Sequence, residues 1–227
     1  MNKLVTIKDK VWAIPDSNEE RQFHDVYHEI YKLKVYDYHK CSIEKDFVVI
    51  DIGANIGMFS VYCVEKEVKQ VIAIEPGEIF SALTENVVNF KPIVKPINSG
   101  AWSHSCTLDF LNMPVWSVQG CIKGQMKNYS PDFSVKPIKC MSVDHIVNLM
   151  KLDKVDFIKI DSEGSEREII EGAKYTIKTF KPRMAVSLYH NKDDWNVLPK
   201  MIFDIIWSYQ FTPISYKETG ADIGYFY

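Results

Sequence analysis

The sequence predicts a doubly wound α/β fold with a mostly parallel sheet and a helical appendage at its N-terminus. Short apolar runs that suit buried strands alternate with longer amphipathic segments from about residue 47 to the end of the chain. This alternation is typical of a parallel sheet with helices on both faces. Several runs end in an ionisable residue, and the carboxyl ends of parallel strands lie along one edge, where ligands bind.

The predicted strands are short and apolar, and the first two end in carboxylates, Asp51 and Glu75. Pro92 and Pro96 weaken the third strand, because proline donates no backbone hydrogen bond, so we expect this strand near an edge of the sheet. In chain order the predicted strands are 47–51, 71–75, 93–98, 155–161, 184–189, 211–216 and 223–227, with a short hairpin strand at 106–111.

Helices are predicted where apolar residues recur three and four positions apart. In chain order they are 58–67, 79–90, 142–150, 165–180 and 196–209. Residues 112–137 have little regular pattern and are interpreted as an insertion in a domain that spans 46–227, and such insertions are often functional. Residues 1–45 form the appendage, which we expect to be helical and packed on the core.

Composition and charge exclude several classes of protein. The 227 residues carry a net charge of -3, whereas binding to a nucleic-acid backbone needs a basic excess. No apolar run approaches the roughly 18 residues of a spanning helix, and the N-terminus lacks the apolar core of a signal peptide. The five cysteines are scattered, which favours reduced thiols. We expect a cytoplasmic protein without stable membrane insertion, and its oligomeric state stays open.

A loop with two glycines follows the first strand and reads Asp51-Ile52-Gly53-Ala54-Asn55-Ile56-Gly57. Glycines let the backbone turn sharply and approach a ligand closely. The helix that follows offers free N–H groups to a ligand. Glu75, at the end of the second strand, can accept hydrogen bonds from both hydroxyls of a ribose. Together these features predict a cofactor of the adenosine type.

Two cofactors of this type remain, a dinucleotide and S-adenosylmethionine. A dinucleotide site uses Gly-x-Gly-x-x-Gly, whereas Asn55 occupies the middle glycine position here. Asp51 would repel a pyrophosphate, but it could hold a cationic amino group directly or through water. The loop therefore favours S-adenosylmethionine. A nicotinamide-dependent oxidoreductase and a catalytically silent cofactor-binding scaffold stay as alternatives.

A second motif, Lys159-Ile160-Asp161-Ser162-Glu163-Gly164-Ser165-Glu166, begins in the fourth strand of the predicted sheet. It resembles the K-x-D-x-E-G-x-E segment of FkbM-type methyltransferases, and the loop at 51–57 resembles the D-x-G-A-N-x-G segment of the same family. The resemblance covers about residues 47–190. It implies a class I methyltransferase fold with strand order 3-2-1-4-5-7-6, and methyl transfer to a hydroxyl, often on a sugar or a natural product.

The resemblance also implies which residues lie near the cofactor. Pro76 would shape the ribose pocket, Ala101 would lie near the adenine, and Asp161 would lie between cofactor and acceptor. The complete set of implied cofactor residues is Asp51, Gly53, Ala54, Asn55, Gly57, Glu75, Pro76, Ala101 and Asp161. The implied acceptor is a small molecule or a glycan. Aromatic loop residues that could stack on it are Trp102, Trp116, Tyr129 and Phe133.

An alcohol is a weak nucleophile at neutral pH, so a general base or a metal is expected. Asp161 and Glu163 could act as the base or hold a divalent ion. Alternatively, Asp161 only pairs with Lys159, and Glu163 only caps the next helix. His190 ends the following strand, and its ordinary pKa of about 6.5 suits a base, although a lone histidine there is often structural. The sequence does not choose among these three, and it shows no complete set of metal ligands.

Overall fold

The structure, a computed structural model, describes residues 2–16, 20–112, 121–125 and 134–227. Its strands are β1 (Asn2–Ile7), β2 (Lys10–Pro15), β3 (Val48–Ile52), β4 (Gln70–Ile74), β5 (Val94–Ile97), β6 (Gly100–Ala101), β7 (Cys106–Asn112), β8 (Cys121–Ile122), β9 (Ser134–Met141), β10 (Phe157–Ile160), β11 (Arg183–Ser187), β12 (Phe211–Tyr216) and β13 (Ala221–Phe226).

The helices lie between these strands. They are α1 (Glu20–Tyr27), α2 (Met58–Glu65), α3 (Phe80–Asn86), α4 (Val143–Leu149), α5 (Glu166–Glu171), α6 (Lys174–Phe180) and α7 (Asp194–Ile205), with a π-helix (His28–Leu33) after α1 and a 3-10 helix (Val88–Phe90) after α3. Within the described ranges, no helix has both the length and the apolar character needed to cross a membrane.

The central sheet has seven strands in the order β12-β13-β11-β10-β3-β4-β5. Numbered along this sheet alone and taken from the other edge, the order is 3-2-1-4-5-7-6, as the resemblance implies. Neighbouring strands from β5 to β11 are parallel, and β13 pairs antiparallel with both β11 and β12. The predicted α/β class is confirmed. The strand that carries Pro96 lies at the edge of the sheet, as expected.

The sheet is buried on both faces, because alternate strand residues point to opposite sides. Val49 and Phe157 pack on one face with α2, α3 and the N-terminal segment. Ile50 and Ile158 pack on the other face with α4 to α7. Each such side chain contributes about 1.5–3 kcal/mol through burial. Packing from two sides fixes the strands, and it therefore fixes the loops at their carboxyl ends.

A smaller sheet in the order β6-β9-β7-β8 lies beside the central one. The predicted hairpin strand at 106–111 is β7, and it pairs antiparallel with β9. The insertion predicted near 112–137 thus ends in a strand that was not expected from the sequence. Its signal is the alternation that buries Ile138 and Cys140 against Phe110. The rest of the insertion, with Trp116, Tyr129 and Phe133, lies outside the described residues.

The appendage, which was expected to be helical, is helical only in α1 and the π-helix, because β1 and β2 form an antiparallel hairpin before α1. The hairpin turn places Lys8 at φ 60°, where glycine and asparagine are the usual residues. The turn therefore lacks the Asn-Gly signal by which a hairpin is predicted. The alternation that buries Val5 and Ile7 is the signal that remains.

The hairpin docks on α3, and it thereby positions the start of α1. Trp12 and Ile14 are buried in the same core as α2 and α3. The Asn86 side chain accepts a hydrogen bond from the Ala13 N–H at 2.6 Å and donates to the Ala13 carbonyl at 2.9 Å. The N-terminal segment is thus fixed to the domain by apolar packing and by a paired amide contact.

Candidate active site

A cavity of about 350 Å³ lies at the carboxyl ends of β3, β4 and β10. Its lining includes three groups of residues. The glycine edge consists of Gly53, Asn55, Glu75, Pro76 and Ala101; the acid turn consists of residues 161–164, of which Asp161, Ser162 and Glu163 line the cavity; the N-terminal wall consists of Gln22, Asp25, Val26, Glu29 and Ile30.

Gly53 must be glycine for two reasons. Its φ is +73°, in the left-handed region that side chains rarely adopt, and a Cβ here would lie 1.8 Å from the carbonyl oxygen of Asp161. The backbone N–H groups of Gly53 and Ala54 both donate to the carbonyl of Ile74 at 3.1 Å. The loop is therefore pressed between β4 and the acid turn, and only a bare backbone fits.

Asn55 occupies the middle position of the loop with φ 54°. Its N–H donates to Oε2 of Glu75 at 2.8 Å, and this contact ties the end of β4 to the loop. Ala54 and Gly57 are buried on the inner side of the loop and are not among the described residues that line the cavity. Of the predicted loop residues, Gly53 and Asn55 therefore face the cavity.

Asp51 lies behind the glycine edge rather than in the cavity. It is fully buried and accepts a hydrogen bond from Ser60 Oγ at 2.7 Å. Its Oδ1 lies 3.2 Å from Lys159 Nζ. Lys159 also donates to the Gly53 carbonyl at 2.6 Å. Asp51 therefore acts on the loop through Lys159. The sequence left open that Lys159 pairs with Asp161, but its ion-pair partner in the structure is Asp51.

Glu75 faces the cavity from the end of β4. Burial raises its pKa to about 8, although the Asn55 N–H and the Lys159 charge act in the opposite direction. The carboxyl thus lacks enough donors to hold its negative charge at neutral pH. A ligand that brings hydroxyl donors would supply them. Pro76 and Ala101 line the cavity on either side, where the resemblance implies the ribose and the adenine.

Asp161 is held as an anion by hydroxyl groups. Tyr36 donates to its Oδ2 at 2.7 Å, and Ser187 and Tyr189 donate to its Oδ1 at 2.8 and 3.3 Å. Burial alone would raise the pKa of Asp161. The charges of Lys159 and His190 and the hydroxyl donors outweigh burial, so the pKa is lowered. Asp161 is therefore a fixed negative charge in the cavity wall.

Glu163 lies in the turn after Asp161 with φ 49°, a left-handed conformation that is unusual for a residue with a side chain. Its side chain is 18% exposed, and it lines the cavity. Burial is the largest influence and raises the pKa of Glu163 to about 7, with Asp161 and Glu166 adding to the rise and His190 opposing it. It is a carboxyl that can exchange a proton near neutral pH.

His190 lies beside the acid turn, and its side chain is 8% exposed. Its Nδ1 is 2.9 Å from Oε1 of Glu166, and its Nε2 is 3.5 Å from Glu163 and 3.7 Å from Asp161. Burial alone would lower the pKa of His190, but the three carboxylates outweigh burial and raise it to about 10. His190 therefore carries a proton at neutral pH, which does not fit its predicted role as a general base.

The cluster of Asp161, Glu166 and His190 has one ligand atom of each residue within 4.8 Å of the others, a spacing that suits a cation. In the structure the positive charge between these carboxylates is the imidazolium, whose two nitrogens lie 2.9 Å from Glu166 and 3.7 Å from Asp161. We therefore interpret the cluster as an ion-pair network. The use of a divalent metal, which the sequence left open, stays open.

The N-terminal wall faces the glycine edge across the cavity. Its residues recur at positions i, i+3, i+4, i+7 and i+8, along one side of α1 and the π-helix. Burial, and then repulsion from Asp161, raises the pKa of Glu29 to about 7, although a hydrogen bond with Thr219 opposes the rise. Asp25 is exposed at the rim. This wall presents both carboxylates and apolar side chains.

Sequence reasoning missed several residues of the site. Tyr36 and Ser187 hold Asp161, and no local pattern marks either of them as a site residue. Glu166 lies within the second motif without a predicted role, and its full burial is visible only in the structure. The spacing of apolar residues in the N-terminal wall predicts a helix. It does not indicate that this helix lines a site.

A seven-stranded sheet in this order, with a glycine loop after its first strand and an acid after its second, defines a class I methyltransferase fold. The chain belongs to the methyltransferase FkbM family, because the family's domain profile matches residues 51–213. The chain therefore contains a methyltransferase FkbM domain, and the predicted family is confirmed. The matched domain is a methyltransferase domain, which speaks against the nicotinamide-dependent oxidoreductase kept as an alternative.

Three known proteins illustrate the likeness. Hexuronic acid methyltransferase AglP of Haloferax volcanii is 33% identical over 130 residues, which are 57% of this chain and 51% of AglP. Methyltransferase FkbM of Methylobacillus flagellatus superposes with a TM-score of 0.65 at 24% identity, over 91% of this chain and 52% of that one. Fibrillarin of Aeropyrum pernix, solved with bound S-adenosyl-L-methionine, gives 0.52 at 7% identity, over 100% and 82%.

The two structural likenesses show the fold. The matched regions span about half the length of AglP and of the Methylobacillus methyltransferase.

Proposed function

We propose that this methyltransferase uses S-adenosylmethionine to methylate a hydroxyl oxygen of a neutral small molecule or glycan. The observation that carries the proposal is that Glu75 and Glu163 face one cavity. Glu75 is a carboxyl in need of hydroxyl donors, and Glu163 is a carboxyl that exchanges a proton near neutral pH. The first suits a ribose, and the second suits an acceptor hydroxyl.

The glycine edge fits the cofactor. Gly53 lines the cavity and has no side chain, so a ligand there meets bare backbone. Glu75 would accept the ribose hydroxyls, while Pro76 and Ala101 would flank the ribose and the adenine. When bound, the cofactor supplies a methyl group that is activated on a sulfonium sulfur.

Glu163 is the general base of this proposal. A base works best when its pKa is near the working pH, because it is then largely ionised and still binds a proton well. Glu163 takes the proton that the acceptor hydroxyl loses as its oxygen receives the methyl group. Asp161 stays ionised beside it and provides a fixed negative charge for the positive charge at the reacting centre.

The acceptor is neutral in this proposal because the cavity is acidic. Of the residues that the structure describes, five with carboxyl groups line it: Asp25, Glu29, Glu75, Asp161 and Glu163. Among the described lining residues Lys159 is the one cation, and it is paired with Asp51. An acceptor with its own carboxylate would be repelled from the N-terminal wall. The relative AglP is named for a hexuronic acid, so the two proteins would differ in the charge of their acceptors.

The proposal is tested with the methyl-labelled cofactor and a cell extract that has been separated into anionic and non-anionic pools. Label should enter the non-anionic pool, and Glu163→Gln should abolish the transfer while S-adenosylhomocysteine still binds. Label that enters only the anionic pool would contradict the acceptor charge. If the cofactor binds but no pool is ever labelled, a silent scaffold is the better account.

A divalent metal is not required by this proposal, because the His190 imidazolium already supplies a cation among the carboxylates. Transfer should therefore persist when the enzyme is assayed with a chelator. Loss of activity that is restored by added Mg²⁺ would contradict this expectation.

A further inference from the structure

Glu166 has no place in the mechanism above, and His190 enters it only as a cation among the carboxylates, although both side chains are almost fully buried. Glu166 is 0% exposed and lies at the first position of α5. Its Oε1 accepts the Ser162 N–H at 2.9 Å and lies 2.9 Å from Nδ1 of His190. Burying a carboxylate is costly unless it is paired. This side chain is therefore retained for a partner, and that partner is His190.

The two ring nitrogens of His190 face carboxylates on different sides. Nδ1 faces Glu166, and Nε2 faces Glu163 and Asp161. Among the described residues neither nitrogen has a hydrogen-bond partner of normal geometry, so these contacts are ion pairs. A neutral imidazole would leave the lone pair of one nitrogen within 3.7 Å of a carboxylate. Only the protonated ring suits both sides. The geometry thus places a clamped cation 3.5 Å from Glu163.

Glu166 also fixes the backbone that carries Glu163. The Ser162 N–H that it accepts is one residue before Glu163, and Glu163 and Gly164 have φ angles of 49° and 97°. Such a turn persists only when its surroundings hold it. The same carboxylate therefore holds the turn and the cation beside it.

We propose that Glu166 and His190 are positioning residues for the base of methyl transfer: His190 keeps Glu163 ionised, and Glu166 holds His190 and the turn that carries Glu163 in place. This inference rests on the proposed function of Glu163. The charged and titratable groups that surround Glu163 are Asp161 and Lys159 of the strand that precedes it, Glu166 of α5, Tyr189 and His190 after β11, and Glu75 of the glycine edge. His190 is the cation closest to the Glu163 carboxylate in this group.

The direct test is the pH profile of kcat/KM for His190→Gln. In the wild type the rate should rise with pH as Glu163 ionises. Loss of the cation raises the pKa of Glu163, so the acid limb should move upward by about one pH unit or more. Arg167→Gln is the matched control, because Arg167 lies next to Glu166 on α5 but pairs with Asp193 and Asp194. It should leave the limb in place.

A second measurement does not depend on whether that variant folds. Nitrogen-15 spectra of histidine-labelled wild-type protein should show one imidazole, assigned to His190, that stays protonated to at least pH 9. In Glu166→Gln this imidazole should lose its proton at a pH lower by about one unit or more. A wild-type His190 that titrates near its ordinary pKa would overturn the inference, as would an unmoved acid limb in a folded His190→Gln.

The two proposals fail in different ways. Wild-type activity in Glu163→Gln at every pH would contradict the assignment of Glu163 as the base, and with it the proposed function. A large loss of activity in Glu163→Gln, together with an acid limb that His190→Gln leaves unmoved, would remove only the role of the clamped cation.

Discussion

The glycine edge and the N-terminal wall face each other across one cavity, but they are built in different ways. The glycine edge is made of backbone and short-range contacts, such as the N–H of Asn55 that binds Glu75 at 2.8 Å. The N-terminal wall is made of side chains on a helix that docks from outside the sheet. Substitutions in the glycine edge would disturb its backbone, whereas substitutions in the N-terminal wall would replace one side chain at a time. We infer that the cofactor is recognised by the first and the acceptor by the second.

The largest effect should come from Gly53→Ala, because the new Cβ would meet the Asp161 carbonyl at 1.8 Å. We expect affinity for S-adenosylhomocysteine to fall by about 100-fold or more, which corresponds to about 2.8 kcal/mol. Gly220→Ala is the matched control, with φ +76° and nothing within 4 Å of its Cβ. Both variants strain a backbone with positive φ, but only Gly53→Ala adds a clash. Calorimetric affinities of the two variants for S-adenosylhomocysteine therefore isolate the effect of the clash. Equal losses in the two would contradict the account.

Glu75→Ala should weaken binding of the same ligand by roughly 10- to 100-fold, because hydrogen bonds from the ribose to a charged acceptor are lost. Glu78→Ala is the control, since Glu78 is an exposed acid three residues later and pairs with Lys136 outside the cavity. The control should bind like the wild type. Unchanged affinity in Glu75→Ala would show that the ribose lies elsewhere.

The pH dependence of binding should report on Glu75 in the same way. Its pKa is raised to about 8 in the free protein, and hydroxyl donors from a ribose would lower it. Binding should therefore release a proton, and affinity should increase with pH by up to about tenfold per unit until pH 8. Titration calorimetry in buffers of different ionisation heat measures the proton. The dependence should vanish in Glu75→Gln.

The smallest effect should come from the N-terminal wall. Removing the charges in an Asp25→Asn, Glu29→Gln variant should raise the rate with anionic acceptors by about two- to fivefold relative to neutral ones, because partly exposed charges are screened. Affinity for S-adenosylhomocysteine should not change. Glu20→Gln, on the same helix and outside the cavity, is the control. A change in cofactor affinity instead would reverse the assignment of the two regions.

The same difference explains what could be predicted from sequence. The residues of the glycine edge lie in recognisable motifs at the ends of two predicted strands, so Gly53, Asn55 and Glu75 could be placed at the cavity from the sequence alone. The position of Asp51 behind the loop could not be predicted, because its buried partners, Ser60 and Lys159, cannot be read from spacing.

The N-terminal part shows the opposite case. The hairpin before α1 was missed because its turn uses Lys8 where glycine or asparagine is usual. Without the hairpin, the position of α1 over the sheet edge cannot be derived, and the wall cannot be assembled. The protonation of His190 likewise depends on Glu166, whose burial is a property of the packed structure.

One measurement tests the central claim most directly, which is that a cofactor edge and a base meet in this cavity. Methyl transfer from the labelled cofactor to the non-anionic pool should be compared in the wild type and in Glu163→Gln, with S-adenosylhomocysteine affinity measured on the same samples. The account predicts a loss of kcat of about 100-fold or more with unchanged affinity. Transfer by Glu163→Gln at the wild-type rate would contradict it.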